Sequence, residues 1–210
     1  VDAAFITDWI DEITRLVAGE REHLTALDAA IGDADHGANL DRGFAAVRAA
    51  LSARPPGTPG DALVLLGGTL IRKVGGASGP LYGTFFRQAG KSLGDSPEVS
   101  PAELAAALTD GLAAVRALGS AEQGDKTMVD ALTPAVRALE QALQDGAGRR
   151  KAFDAAARAA EEGARATVPL RARKGRASYL GERSMGHLDP GAASSALIMR
   201  ALHISASGSR

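Results

Sequence analysis

Residues 100–118, SPAELAAALTDGLAAVRAL, decide the fold class. Ser100 stands where a helix N-cap belongs, Pro101 at the first helical position and Glu103 at the third, the order in which helices begin. Behind them Leu104, Leu108, Leu112, Val115 and Leu118 recur at three- and four-residue spacing and give the segment one apolar face. Alanine, the best helix former, fills much of the rest. The same periodicity predicts helices over Ala3–Ala18, where Phe5, Trp9, Ile13 and Leu16 or Val17 line one face, and over Ala38–Ala53, with Leu40, Phe44, Val47 and Leu51. Asp61–Val74, Pro80–Leu93, Val129–Leu143, Ala152–Val168 and Ala192–His203 complete eight predicted helices, and no run alternates as a strand does. The expectation is an all-α bundle or barrel forming one domain over 1–210. Pro55–Gly60 is too short for a domain linker, and the terminal SASGSR, 205–210, is expected to fray.

Composition agrees and narrows the function. The chain has forty-four alanines in 210 residues, few aromatics and 45% hydrophobic content, which argues against a β-sandwich. A net charge of −1 supplies no field for nucleic acid, and the absence of cysteine removes disulfides and thiolate metal sites. No apolar run approaches the roughly 20 residues of a membrane span. The acidic, amphipathic start VDAAFITDWIDE is not a signal peptide, so a cytoplasmic protein is expected. Twenty-five glycines remain, more than alanine-rich helices need.

The glycines gather in IGDADHGANLDRG, GGTLIRKVGGASGPLYG, LGSAEQGDKT and KGRASYLGERSMGHLDPG, each mixed with Asp, His, Ser, Lys or Arg. Read as connections, these segments suggest one site at an end of the bundle, where backbone comes close to a ligand. Asp28, Asp33 and Asp35 lie within eight residues, followed by His36 and Asn39. Carboxylates so close repel unless a cation neutralises them, and hard oxygen donors suit magnesium or calcium. No acidic residue stands at the twelfth loop position, so this is not a calcium hand; the other reading makes Asp33 and Asp35 turn and cap residues. Gly75, Gly76, Ala77, Ser78 and Gly79 precede a helix and form a candidate anion site, though without the P-loop spacing. Packing alone also accounts for Gly67, Gly68, Gly75, Gly76 and Gly83. Lys126 is expected to pair with Asp125 at the surface and Met128 to lie in the core. Arg171, Arg173, Lys174 and Arg176 form a basic run suited to phosphate, or a solvated loop. His187 reads as structural, and Asp189 as the cap of the last helix, with Pro190 and Gly191 behind it. No nucleophile elbow, zinc helix or kinase signature set is present.

Taken together, GDADHGANLDRG, GGASGPLYG, GDKTMVDAL with its following PA, and KGRASYLGERSMGHLDPGAAS closely resemble the nucleotide-binding L subunit of dihydroxyacetone kinase, over nearly the whole chain and in the same order. The same sequence type forms the C-terminal domain of one-chain ATP-dependent kinases. The resemblance implies an eight-helix antiparallel, up-and-down barrel with the nucleotide, ADP or ATP, at one end. It implies that Asp28, Asp33 and Asp35 hold two magnesium ions. His36, Gly37, Ala38, Asn39, Ala77 and Ser78 match positions that touch phosphate and ribose. Gly119 and Met128 match the adenine pocket, Arg176 a phosphate contact, and Asp189, Pro190 and Gly191 complete the site. Leu40 and Leu188 fall where relatives often carry other residues.

The implied activity is phosphoryl transfer to dihydroxyacetone held by a separate K subunit, so this chain is expected to be inactive alone. Two donor schemes follow from the resemblance. In one, ADP is a bound coenzyme recharged from phosphoenolpyruvate through a phosphotransferase-system M subunit. In the other, ATP exchanges as in a split ketose or tetrose kinase. Family L subunits in the ADP form can also bind a transcriptional activator, which adds a regulatory reading. A homodimer is compatible with the sequence; direct nucleic-acid or membrane binding is not expected.

Overall fold

The computed structural model describes residues 1–208. Among them are nine α-helices and one 3₁₀ helix: α1 (Ala3–Gly19), α2 (Arg21–Ile31), α3 (His36–Ala53), α4 (Pro59–Lys73), α5 (Ser78–Leu93), α6 (Pro101–Gly119), α7 (Met128–Gln144), α8 (Arg149–Arg165), the 3₁₀ segment Arg176–Ser184 and α9 (Pro190–Gly208). The all-α class expected from periodicity is the class observed. None of the described helices is long and apolar enough to cross a membrane.

The helix starts follow from local chemistry. Ser100 Oγ accepts the Glu103 N–H while Glu103 accepts the Ser100 N–H, closing a capping box at α6. Thr127 and Asp130 build a second box at α7, and Thr58 caps α4 ahead of Pro59. Packing then joins the helices into a circuit: α1 on α3, α3 on α4, and so on through α8 and α9, with α9 returning to α1. Phe5, Trp9, Phe44, Phe85, Phe86 and Phe153 are buried within one continuous core, and Trp9 Nε1 donates to the Ile198 carbonyl at 2.9 Å. Burying such rings contributes about 1.5–3 kcal/mol each.

Several expectations are corrected. The eight helices read from the sequence are the members of the circuit, but α2 is an additional helix packed on α3. Only Leu24, Asp28 and Ile31 of α2 are buried, too thin a stripe to register as a period. The polar connection expected over this stretch contains the 3₁₀ segment, in which only Ala177 and Ser184 are buried. Pro134 sits inside α7. The last helix continues to Gly208, and Ser205 is buried with its hydroxyl bonded to the Ala201 carbonyl. Residues 209–210 of the tail expected to fray lie outside the described residues.

Nor are all four glycine segments connections. Gly67 and Gly68 lie in α4, Gly79 and Gly83 in α5, and Gly37 and Gly43 in α3. A Cβ at Gly67 would stand 2.4 Å from the Gly83 carbonyl oxygen, so the packing of α4 on α5 here depends on a bare backbone.

Candidate functional site

Asp28 closes the last turn of α2 and is 8% exposed. Asp33 and Asp35 follow on the link to α3, where Ala34 takes a positive φ of 62°. That turn folds the link back: Asp28 Oδ2 accepts the backbone N–H groups of Asp35 at 2.9 Å and His36 at 3.1 Å. One oxygen from each of the three carboxylates then lies within 4.8 Å of the others. The alternative of turn and cap residues is disfavoured locally, because Asp35 makes no side-chain cap bond at the start of α3. Three converging oxygen donors, one nearly buried, suit a small hard cation such as magnesium. Arg176, at the start of the 3₁₀ segment, reaches the same cluster and pairs with Asp33 at 2.9 Å.

His36 connects this acidic turn to two other elements. Its Nδ1 lies 3.0 Å from Ser78 Oγ, the first residue of α5, and its Nε2 lies 2.8 Å from Ser194 Oγ on α9. Burial lowers the His36 pKa against the opposing charges of Asp28 and Asp35, which favours a neutral ring. Asn39, one turn into α3, accepts from Arg42 at 2.6 Å and borders Gly75. Gly76, with φ of 65°, bends the chain so that Ala77 and Ser78 open α5 without a side-chain cap. Its uncapped N–H groups leave a partial positive charge there.

Asp189 supplies the corresponding cap at α9, accepting the Ala192 N–H at 2.7 Å. Burial pushes its carboxyl up to about 7, with the Asp130 charge adding and the Ala192 bond and Lys126 opposing. Pro190 and Gly191 open α9, and Gly191 borders Met128, which is 4% exposed at the start of α7. Gly119 ends α6 beside Leu81 and Ala121. Gly37 faces α2, and Ala38 rides the first turn of α3. The sequence-predicted residues that the chain brings into direct register are therefore Asp28, Asp33, Asp35, His36, Ser78 and Arg176, with Met128 and Gly191 meeting separately.

Lys126 departs most from expectation. It is 1% exposed, and its ammonium donates to the carbonyls of Thr167 at 2.8 Å and His187 at 2.5 Å rather than pairing with Asp125 on the surface. Its backbone is left-handed, with φ of 64°. The ammonium thereby ties the turn before α7 to the strand of chain leading into Asp189, and burial lowers its pKa against the charges of Asp189 and Asp130. Sequence reasoning also missed Tyr82, Ser194 and Ser195, which join in one buried hydroxyl cluster. No local signal pairs a tyrosine with serines more than a hundred residues away.

Comparison with known proteins identifies the lineage. A family model described as the DAK2 domain matches residues 30–203. The chain belongs to this family. It is 44% identical over 201 residues to the PEP-dependent dihydroxyacetone kinase, ADP-binding subunit DhaL, of Escherichia coli (strain K12), covering 96% of each chain. It is 38% identical over 195 residues to the PTS-dependent dihydroxyacetone kinase, ADP-binding subunit DhaL, of Lactococcus lactis subsp. lactis (strain IL1403), covering 93% of each. Among solved structures, it is similar to the dihydroxyacetone kinase from C. freundii in complex with AMP-PNP and Mg²⁺, at 29% identity and a TM-score of 0.74. That match covers 96% of this chain and 34% of the other, so the chain spans about a third of that kinase. The all-α fold and the family expected from the motifs are those found.

Proposed function

We propose that this chain is the ADP-binding, phosphoryl-transferring subunit of a dihydroxyacetone kinase, working with a separate K subunit that holds the sugar. The observation that carries the reading is the convergence of Asp28, Asp33 and Asp35 within 4.8 Å, tied through His36 to the starts of α5 and α9. The chain's similarity to ADP-binding subunits of PEP- and PTS-dependent kinases supports the ligand and the chemistry.

On this reading Asp28, Asp33 and Asp35 hold magnesium, two ions in all. Bound magnesium supplies neutralisation of the charge that builds on the bridging and transferred phosphate oxygens. The chain's own groups orient the nucleotide. His36, Gly37, Ala38, Asn39, Ala77 and Ser78 face phosphate and ribose, with the α5 N–H groups supplying partial positive charge. Gly119 and Met128 face adenine, while Asp189, Pro190 and Gly191 close the site from α9. Arg176 presents a planar fork of donors, held ready by Asp33, to the phosphoryl group in transit. ADP remains bound as a coenzyme and is recharged from phosphoenolpyruvate through an M subunit. The second scheme, exchange of ATP, is the alternative, and the complex of the C. freundii kinase with AMP-PNP and Mg²⁺ is compatible with it.

Reconstitution tests both levels. The chain alone should not phosphorylate dihydroxyacetone; with its K partner, phosphoenolpyruvate and the carrier proteins it should. Turnover by the chain alone would overturn the subunit reading, and full turnover with ATP in place of phosphoenolpyruvate would overturn the coenzyme scheme.

A further inference from the structure

Tyr82 lies on α5 with 1% exposure, its hydroxyl 2.6 Å from Ser194 Oγ, 2.9 Å from Ser195 Oγ and 2.9 Å from the Gly191 carbonyl oxygen. Ser194 in turn meets His36 Nε2, and His36 Nδ1 meets Ser78. A single file of polar groups thus runs Tyr82–Ser194–His36–Ser78, from the core to the first residue of α5. Tyr82 lies in GGASGPLYG and Ser194 ends KGRASYLGERSMGHLDPGAAS, but neither is among the residues assigned to the site above.

Counting protons leaves two directions open for this file. Each hydroxyl has one proton to donate, and a neutral imidazole has one N–H. In one arrangement Ser78 donates to Nδ1, Nε2–H donates to Ser194, Ser194 donates to the Pro190 carbonyl at 3.0 Å, and Tyr82 donates to Gly191. Ser78 then has no proton left and offers a ligand only lone pairs, which repel an anionic oxygen. In the reverse arrangement Tyr82 donates to Ser194, Ser194 donates to Nε2, and Nδ1–H donates to Ser78. The Ser78 proton is then free for a phosphate oxygen, and each bond in the file polarises the next. A phosphate at Ser78 requires that Ser194 donate to Nε2, and a Tyr82 proton on Ser194 strengthens that donation.

We propose that Tyr82 is a positioning residue of the nucleotide site: through Ser194 and His36 it turns the Ser78 hydroxyl into a donor toward the bound phosphate. The inference rests on the placement of Ser78 against phosphate proposed above.

A double-mutant cycle in the full chain tests it, reading Mg-ADP affinity by calorimetry for wild type, Tyr82→Phe, Ser78→Ala and the double variant. Tyr82→Phe should weaken binding about five-fold, the size of one net hydrogen bond, and should add nothing once Ser78 is alanine. The same loss in both backgrounds marks a merely structural role and overturns the proposal, as does unchanged affinity in Tyr82→Phe when Ser78→Ala binds weakly. Unchanged affinity in Ser78→Ala instead overturns the phosphate placement on which the inference rests. Ser194→Ala runs the same cycle should Tyr82→Phe fail to fold. Nitrogen-15 spectra of the imidazole in the Mg-ADP complex give an independent readout: His36 protonated at Nδ1 is expected, and protonation at Nε2 overturns the proposal.

Discussion

Two glycine-bearing regions close together in sequence use the same residue for opposite reasons. Between α4 and α5, Gly67 is surrounded: a Cβ would stand 2.4 Å from the Gly83 oxygen and 2.5 Å from the Arg87 backbone nitrogen. At Gly76, in the turn between the same two helices, a Cβ would meet nothing within 4 Å, and the requirement is the positive φ of 65°. The first glycine is needed for what lies beside it, the second for the path of its own backbone. A glycine-rich stretch is therefore two signals superimposed. The seam holds α5 against α4, and the turn aims the start of α5, with Ser78, toward His36 and the acidic turn.

The comparison breaks if either region can take the other's substitution. Gly67→Ala should have the larger effect on stability. Overpacking against backbone costs about 3 kcal/mol, and the better helix propensity of alanine returns about 1 kcal/mol. The net loss of about 2 kcal/mol lowers the melting temperature by roughly 6 °C in a domain of this size. Differential scanning calorimetry checks this, and an unchanged or raised melting temperature would show that the helices separate without cost. Gly76→Ala should be milder for stability, about 1 kcal/mol for a left-handed backbone, but it should weaken Mg-ADP binding by displacing the start of α5. Titration calorimetry on that variant sharpens the contrast. A lowered melting temperature with native affinity would mean that the turn serves the fold rather than the ligand.

The same division explains what could be read beforehand. Helix α6 was legible because its start signals and apolar period are local: Ser100, Pro101 and Glu103, then leucines at regular spacing. The acidic turn was legible because its three carboxylates lie within eight residues. Helix α2 was hidden because its inner face consists of Leu24, Asp28 and Ile31, and one of those is itself a site residue. Lys126 was misread because its partners are carbonyls on a remote stretch of chain, which leave no mark in side-chain chemistry. The contact of Tyr82 with Ser194 was hidden for a related reason, although both residues lie in the quoted motifs: a hydroxyl pair joined across the fold has no spacing to detect. What depends on neighbours in sequence can be read there, and what depends on tertiary approach cannot.

The measurement closest to the central claim is Mg-ADP affinity in wild type and Asp33→Asn, each titrated with and without magnesium. Asparagine keeps the size of the side chain but removes one negative charge from the three that face each other within 4.8 Å. The account predicts tight, magnesium-dependent binding in wild type. In Asp33→Asn it predicts a loss of at least about ten-fold, the least expected when a metal ligand's charge is removed, and most of the magnesium dependence should go with it. Native, magnesium-dependent affinity in Asp33→Asn would contradict the assignment of Asp28, Asp33 and Asp35 as the metal site.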